Sequence, residues 1–211
     1  EASRHSSLVK SVVVASTDKV YGESTALPYI EDYPLLASNP YDVSKACADM
    51  LCKSYSLTYG LPIGITRCGN IFGGGDLNFN RIVPGTIRSL IKKEKPIIRS
   101  DGKMVRDYVY VEDIVDANLL LASELFSNRQ KGEAFNFSYS SPLTVLQVVE
   151  KISKAMDSSA KPVVEGKSEN EIRKQYLSCE KAKKLLGWKA IFDFDNGLAK
   201  TIDWYKKHLL R

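Results

Sequence analysis

The chain switches repeatedly between a strand-like and a helix-like spacing of its apolar residues. Residues 10–16 contain a run of Val and Ala, β-branched at its three valines, the pattern of a strand buried on both faces. Apolar side chains recur at helical spacing through residues 41–59, and Gly60 and Pro62 then end the predicted helix. The stretch PIGITRCGNIFG follows as a second strand. The order strand, helix, strand is typical of a parallel sheet with a crossover helix.

The remainder of the chain continues this alternation. The sequence predicts a helix over 81–95, a strand in KPIIRS, a strand running into a helix in RDYVYVEDIVDANLLLASEL, a strand in EAFNFSYS, a helix in LTVLQVVEKISKAM, a strand in KPVVEG, and two terminal helices in CEKAKKLLGW and FDNGLAKTIDWYKKHLL. Because helices and strands alternate throughout, the predicted class is α/β.

Composition and charge narrow the class of protein. The 211 residues are 44% hydrophobic and 26% charged, enough for a buried core in one or two domains. No run of about 18 apolar residues occurs, which excludes a membrane span. The net charge of +5 is modest, and its lysine clusters at 181–184 and 206–207 fall on amphipathic helices. Solvated helix faces therefore explain them better than nucleic-acid binding.

The cysteine and histidine pattern bears on metals and on the compartment. The four cysteines form no CxxC pair, and neither His5 nor His208 lies near them in metal-ligand spacing. We therefore expect no metal site and reduced thiols in a cytoplasmic protein. No signal-peptide pattern is present at the N-terminus, which agrees with that expectation.

A polar cluster, Ser16-Thr17-Asp18-Lys19, closes the first predicted strand. Buried hydroxyls and charges cost free energy unless they are paired. Open α/β sheets bind their ligands outside the carboxyl ends of their strands. The cluster therefore predicts a functional site, and an ordinary Asp–Lys ion pair at a strand end is the simpler alternative.

Tyr41 and Lys45 are four residues apart on the helix that follows. Both side chains leave the same helix face, and a nearby ammonium favours the phenolate, which makes a tyrosine usable as a base. The pair occurs by chance on many helices, so it gains weight only from Ser16 and Thr17 one element upstream.

Together these motifs resemble the extended short-chain dehydrogenase/reductases, the NAD-dependent sugar-nucleotide epimerases and dehydratases. The stretches that carry the resemblance are STDKVYGES, NPYDVSKACAD, LPIGITRCGNIFGGGD, RIVPGTIRSLIKKEKPIIRSDGKMVRDYVYVEDIVDA, LLGWKA and TIDWY. The resemblance implies a Rossmann-like parallel sheet and NAD as cofactor. It implies cofactor contacts from Ser16, Tyr41, Lys45, Cys68 and Asn70, and a catalytic set of Thr17, Asp18, Lys19, Tyr41 and Lys45.

One departure from the family pattern is large. The glycine-rich dinucleotide fingerprint is absent, and the glycines at 73–75 resemble a mobile loop over a substrate because no helix begins directly after them. We therefore expect the first dinucleotide-binding half to lie upstream of residue 1. Residues 1–75 would form the distal half of the Rossmann-like domain, with the active-site strand and the YxxxK helix. Residues 76–211 would form mainly an interleaved small α/β substrate-binding lobe, with 108–140 returning to the sheet.

The Asp18-Lys19 pair is similar to the corresponding pair of CDP-glucose 4,6-dehydratases. That reaction oxidises C4, removes water across C5 and C6, and returns the hydride to C6. It needs an acid toward the C6 oxygen, here Asp18, and a C5 base or enolate stabiliser, here Lys19. The rivals are a UDP-sugar 4-epimerase or decarboxylase, which lacks this acid–base pair, and an inactive scaffold or binding module.

The substrate implied by the resemblance is a nucleoside-diphosphate hexose. Its expected contacts are Asn70, Asn78, Arg81, Arg106 and Arg173. Arg106 matches the arginine that holds the diphosphate, which suits a guanidinium fork. Arg173 aligns only loosely, and Asn136 fits a backbone-capping role as well as a ligand role.

Helix 41–59 also carries a predicted interface. Its apolar side comprises Val43, Cys47, Met50, Leu51, Tyr55 and Leu57. A helix buried within one domain would show the same stripe, whereas related proteins pair such helices across a dimer. By that analogy we expect a homodimer through this helix, with no nucleic-acid or membrane partner.

Overall fold

The computed structural model describes residues 1–167 and 172–209. The helices are α1 (Ala2–His5), α2 (Pro40–Tyr59), α3 (Ile82–Ile91), α4 (Val111–Phe126), α5 (Val145–Ala155), α6 (Glu180–Leu186) and α7 (Phe194–Leu209), with a 3₁₀ turn at Asp18–Tyr21. The strands are β1 (Val12–Thr17), β2 (Ile63–Cys68), β3 (Asn70–Phe72), β4 (Ile97–Ile98), β5 (Val105–Arg106), β6 (Tyr108–Tyr110), β7 (Ala134–Phe137), β8 (Leu143–Thr144), β9 (Val163–Val164) and β10 (Lys174–Gln175).

A parallel sheet in the order β1-β2-β7 organises the N-terminal part of the fold. Thr17 lies opposite Cys68, and Cys68 lies opposite Phe137, so the three strands end at the same edge. This confirms the predicted α/β class and the Rossmann-like parallel arrangement. It also places the polar cluster after β1 at the carboxyl edge, where such sheets hold ligands.

Helices α2 and α4 cover opposite faces of this sheet. Thr66 hydrogen-bonds Asn118 of α4, whereas the next residue, Arg67, contacts Asp49 of α2. Neighbouring strand residues point to opposite faces, so each helix has its own side of β2. Gly64 allows α4 to approach closely, since a Cβ there would lie 2.9 Å from a methyl of Leu121.

The inward face of α2 differs from the one that its apolar stripe suggested. The helix is bounded by Pro40 in its first turn and by Gly60 in the left-handed conformation. Its buried residues are small or polar: Asp42, Ala46, Asp49 and Ser56. The apolar residues Val43, Met50, Leu51 and Leu57 are exposed instead. The apolar stripe of α2 is therefore not explained by packing inside this chain.

The strand predicted over PIGITRCGNIFG is two strands, β2 and β3. The amide of Gly69 still bonds the carbonyl of Phe137, but the next amide, that of Asn70, bonds the carbonyl of Asp107. The chain thus changes partner from β7 to β6 within one residue. Sequence periodicity does not contain this switch, because both segments are apolar and extended.

The chain from Phe72 onward contributes the residues of a separate apolar cluster. Helices α3, α5 and α7 enclose it together with β6, and its fully buried members include Ile87, Val148 and Tyr205. The predicted helix 81–95 ends earlier, at Ile91, because Lys93 takes a left-handed conformation. Helix α6, far along the chain, returns to pack with α4 and β7 around Leu121.

Across the described ranges, no helix combines the length and apolar character that a membrane crossing requires.

The contact between Leu121 and the sheet generates a stability prediction. Leu121 is fully buried against Gly64, so Leu121→Ala should lower the free energy of unfolding by about 2–5 kcal/mol through lost burial and a residual cavity. Leu119 lies on the same helix but is exposed, so Leu119→Ala should change it by less than about 0.5 kcal/mol. Urea unfolding followed by circular dichroism measures both, and equal losses would contradict the assigned packing of α4.

Candidate active site

The turn after β1 is built around Thr17. Its hydroxyl accepts a hydrogen bond from the amide of Lys19 (3.3 Å) and donates one to Oδ1 of Asp18 (3.1 Å). Asp18 is 2% exposed, so its carboxyl lies inside the protein at the strand end. A threonine here both begins the 3₁₀ turn and supplies a partner for the buried acid.

The environment of Asp18 changes its protonation. Burial raises the pKa of its carboxyl to about 7, against the lowering effects of the Thr17 hydrogen bond and of the charges on Arg106 and Lys19. A carboxyl with a pKa near neutrality holds its proton for much of the time at physiological pH. It is therefore suited to donate a proton to a leaving oxygen.

Tyr41 and Lys45 lie on α2 beside this turn, but they do not form a direct pair. The ammonium of Lys45 donates to the carbonyl of Ala15 in β1 at 3.1 Å, and the ammonium of Lys19 lies 6.0 Å from the centre of the Tyr41 ring. The pKa of Tyr41 is raised by burial and then by Asp18 and Asp42. In this arrangement Lys45 connects α2 to β1, and the pKa of Tyr41 is raised rather than lowered.

A cavity of about 630 Å³ opens next to the turn. Four of the predicted residues line it: Lys19, Asn70, Arg81 and Arg106. Its volume is in the range of small-molecule sites, and its concentration of cationic side chains favours an anionic ligand.

Arg106 and Arg81 are held in different ways. Arg106 is 8% exposed, and its guanidinium donates to the carbonyl of Val105 at 2.9 Å. Arg81 is partly exposed; it pairs with Asp76 at 2.9 Å and donates to the carbonyl of Ile71 at 3.0 Å. Both guanidinium groups are thus oriented by neighbouring groups of the chain.

The C-terminal helix α7 supports the loop that carries Asp76. The hydroxyl of Tyr205 donates to the carbonyl of Asp76 at 2.5 Å. A Cβ on Gly74 would lie 2.4 Å from the Trp204 ring, so the glycine is needed for this contact. The glycines at 73–75, predicted as a mobile loop, therefore pack against α7 at Gly74.

The other predicted site residues do not line this cavity: Ser16, Thr17, Asp18, Tyr41, Lys45, Cys68, Asn78 and Arg173. The Oδ1 atom of Asn78 accepts from the amide of Asn80 within its own turn. Arg173 is largely exposed and lies 3.6 Å from Asp101 in a surface ion pair. The thiol of Cys68 is buried in the apolar cluster around α4, where burial raises its pKa to about 12.

Sequence reasoning missed several polar residues that line the cavity, among them Asn80, Arg88 and Arg99. The amide oxygen of Asn80 accepts from Arg99 at 2.5 Å. Arg88 stacks over Phe79 at 4.3 Å. Arg88 follows Arg81 by seven residues, two helical turns, and that spacing was a usable signal for a shared face. Arg99 gave no comparable signal, because the strand that it follows, β4, has only two residues and is too short to show a pattern.

The residues at the strand end fit the nicotinamide end of a dinucleotide. The hydroxyl of Ser16 is buried and has no hydrogen-bond partner among the described residues, although buried hydroxyls are normally paired. Tyr41 is half exposed on α2, its ring centre 6.0 Å from the ammonium of Lys19 in the turn that follows Ser16, and Asn70 lines the neighbouring cavity. Among the described residues, no group of three or more His, Cys, Asp or Glu side chains could hold a metal ion.

Both the fold and this constellation agree with a comparison of sequences. A sequence model of the NAD dependent epimerase/dehydratase family matches residues 1–137, and the chain belongs to that family. The predicted resemblance is thereby confirmed. Members of the family are NAD-dependent sugar-nucleotide dehydratases and epimerases.

Individual relatives include both reaction types. The dTDP-glucose 4,6-dehydratase of Xanthomonas campestris pv. campestris is 31% identical over 202 residues, which cover 90% of this chain and 56% of that protein. The solved dTDP-glucose 4,6-dehydratase of Bacillus anthracis, in complex with NAD, matches with a TM-score of 0.83 at 31% identity. The match covers 93% of this chain and 62% of the solved chain. The UDP-glucose 4-epimerase of Thermotoga maritima, solved with UDP-glucose, matches with a TM-score of 0.88 at 29% identity. The match covers 95% of this chain and 65% of the solved chain. This chain thus spans 56% to 65% of the length of these relatives.

The raised pKa of Asp18 generates a pH prediction. Since the folded protein keeps the Asp18 proton up to about pH 7, whereas an unfolded aspartate loses it near pH 4, the stabilising effect of that proton is full below about pH 4 and is lost as pH rises through 7. The wild type should therefore lose stability relative to Asp18→Asn between about pH 4 and 7. Urea unfolding of both proteins across this range measures the difference, and parallel curves would contradict it.

Proposed function

We propose that the protein containing this chain is an NAD-dependent sugar-nucleotide 4,6-dehydratase acting on CDP-glucose or a close relative. The observation that carries the proposal is the buried Asp18, with its pKa raised to about 7, next to Lys19 at the wall of a cationic cavity. Removal of water needs an acid and a base side by side, whereas oxidation at C4 alone does not need this acid–base pair.

Oxidation at C4 is assigned to the residues that join β1 and α2. Tyr41 takes the proton of the C4 hydroxyl, with Thr17 and Lys45 orienting the site. When bound, NAD⁺ supplies the hydride acceptor and later the hydride donor. The bond from Lys45 to the carbonyl of Ala15 supports this assignment, since it fixes the helix that carries Tyr41 against the active-site strand.

Elimination is assigned to Asp18 and Lys19. Lys19 takes the C5 proton or stabilises the enolate that forms, and Asp18 protonates the C6 oxygen, which leaves as water. The hydride taken from C4 returns to C6, and a proton returns to C5, so the sequence has no net redox change. The hydrogen bond from Thr17 to Asp18 supports the role of Asp18, because it orients one carboxyl oxygen.

The diphosphate is assigned to Arg81 and Arg106, with Asn70 toward the sugar. Guanidinium groups bind phosphate oxygens in a bidentate manner, and both arginines line the cavity. Contacts from Asn78 and Arg173 stay predictions, and the exposed position of Arg173 gives them little support.

A 4-epimerase is the second candidate. The higher TM-score with the Thermotoga maritima epimerase than with the Bacillus anthracis dehydratase favours it. An epimerase would use Tyr41 in the same way but would not need Asp18 as an acid. A decarboxylase or an inactive scaffold are further outcomes of the assay below.

The first test identifies the reaction. The intact protein with NAD⁺ is incubated separately with CDP-, dTDP-, UDP- and GDP-linked hexoses, and mass spectrometry follows each sugar nucleotide. We expect loss of one water from the CDP-glucose sample. An unchanged mass with inverted C4 by NMR would establish the epimerase instead. No conversion with NAD⁺ bound would support the scaffold.

Asp18→Asn tests the elimination step. The amide has the same shape but donates no proton to the C6 oxygen, so water loss should fall about 10²–10⁴-fold while a 4-keto hexose that retains its C6 hydroxyl accumulates. Asp195→Asn is the control, because Asp195 is exposed and pairs with Lys151 far along the chain. An unchanged rate of water loss in Asp18→Asn would refute the assignment of Asp18.

We further propose that a second copy of the chain covers the exposed apolar side of α2. Its members include Val43, Met50, Leu51 and Leu57, of which Met50 and Leu51 are 65% and 60% exposed. They form one patch on a single long helix, and an isologous contact would pair this patch with the same patch of the second copy across a two-fold axis. The four cysteines are free thiols, which supports the further proposal of a cytoplasmic protein.

Leu51→Glu tests the dimer. A charge buried in an apolar contact costs several kcal/mol, so size-exclusion chromatography with light scattering should show the monomer mass for Leu51→Glu and twice that mass for the wild type. Ile191→Glu is the matched control, since Ile191 is also exposed but lies away from α2. A dimer that survives in Leu51→Glu would place the interface elsewhere.

A further inference from the structure

Arg67 lies at the centre of a buried hydrogen-bond network near the end of β2. Its Nε donates to Oδ2 of Asp49 in α2 at 2.7 Å. One of its terminal nitrogens donates to the hydroxyl of Tyr21 at 2.9 Å and to the carbonyl of Glu31 at 3.2 Å. The side chains of Arg67 and Asp49 are 8% and 1% exposed, so water does not compete for these bonds.

The network continues from Tyr21 into β7. The Tyr21 hydroxyl donates to Oδ1 of Asn136 at 2.7 Å, and the Asn136 amide donates to the carbonyl of Tyr29 at 3.1 Å. The backbone amide of Asn136 donates to the Glu31 carboxylate at 2.8 Å. Asn136 is therefore a structural residue whose hydrogen-bonding groups are occupied by the chain itself. The sequence left its role open between a cap and a ligand.

Two of the three partners of Arg67, Tyr21 and Asp49, belong to the two elements that carry the candidate catalytic residues. Tyr21 closes the same 3₁₀ turn that contains Asp18 and Lys19. Asp49 is one helical turn beyond Lys45 and two turns beyond Tyr41 on α2. One guanidinium thus bonds both elements at once, from a third element, β2.

We propose that Arg67, with Asp49 and Tyr21, is a positioning group that sets the placement of the Asp18–Lys19 turn relative to the Tyr41–Lys45 helix. The chemical roles of those four side chains rest on the proposed function, whereas the hydrogen bonds of Arg67 do not depend on it. Arg67 itself touches no reacting atom. It acts by holding two elements whose groups must reach adjacent carbons of one sugar.

The chemistry of the pair favours positioning over stability. A buried ion pair is costly to desolvate, and replacing it with apolar residues is often neutral or stabilising. The ion pair instead fixes orientation, because the planar guanidinium of Arg67 holds two partners at defined angles. Small displacements matter at such a site, since misplacement by about 1 Å can lower a rate about 100-fold.

The test uses Tyr21→Phe and Asp49→Asn in the NAD-loaded intact protein. Tyr21→Phe removes the bonds from the turn to Arg67 and Asn136, so it should slow water loss about 10- to 100-fold, with KM for the sugar nucleotide within about 3-fold, and accumulate the 4-keto hexose. Asp49→Asn removes the charge that holds α2, so it should slow C4 oxidation instead and raise the deuterium isotope effect measured with C4-labelled substrate.

Tyr139→Phe is the matched control. Tyr139 is a partly buried tyrosine whose hydroxyl donates to the Asp113 carboxylate at 2.6 Å, with no bond to the turn or to α2. It should lower the melting temperature as Tyr21→Phe does, yet keep kcat within about 2-fold and leave no intermediate. NMR titration of the Asp18 carboxyl gives a readout without turnover: its pKa should fall in Tyr21→Phe, as the turn loosens and admits water, and stay unchanged in Tyr139→Phe.

The outcomes separate the two proposals. If the wild type dehydrates a sugar nucleotide but Tyr21→Phe keeps its kcat and its Asp18 titration while losing only stability, the positioning role is overturned. If the wild type epimerises instead, the dehydratase proposal fails, and the isotope effect in Asp49→Asn still decides whether the network sets C4 oxidation. Should Asp49→Asn fail to fold, Tyr21→Phe alone remains decisive.

Discussion

Parallel pairing of β1 with β2, and of β2 with β7, brings three strand ends to one edge of the sheet, and the candidate active site depends on that alignment. Parallel strands leave their carboxyl ends together, and the residues that follow them then share one crevice. Here the register puts the turn after β1 beside the point where the chain leaves β2 for β3. The cavity opens at that junction and is lined by four arginines, Arg81, Arg88, Arg99 and Arg106.

Burial at this edge changes the protonation of the Asp18 carboxyl. Asp18 is deep enough that desolvation outweighs two nearby cations, and its pKa rises to about 7. The same burial makes precise hydrogen bonding necessary, because an unpaired polar group would be expensive there. Thr17 supplies that bond for Asp18, while Arg67 supplies it for the Tyr21 hydroxyl. The raised pKa of Asp18 and the ordered hydrogen bonds around it thus have one physical origin, which is burial.

Much of the fold followed from periodicity alone. The strand–helix–strand order of 10–73 and the ends of α2 were predictable because Pro40 and Gly60 act locally on the backbone. The break between β2 and β3 was not, since it depends on which strands are near, and an apolar extended segment looks alike in either sheet. The exposed stripe of α2 shows the same limit: helical periodicity reveals an apolar face but not what covers it.

The sequence by itself determined the class, the family resemblance and the polar groups proposed for the site, since Thr17, Asp18 and Lys19 are adjacent along the chain and Tyr41 and Lys45 share a helix face. Only the tertiary structure decided that Lys45 bonds β1, that Asn80, Arg88 and Arg99 join the cavity, and that Arg173 stays outside it. Local spacing fixes which residues of one element can act together. The distances between elements arise from packing, and packing also sets the burial that shifts a pKa.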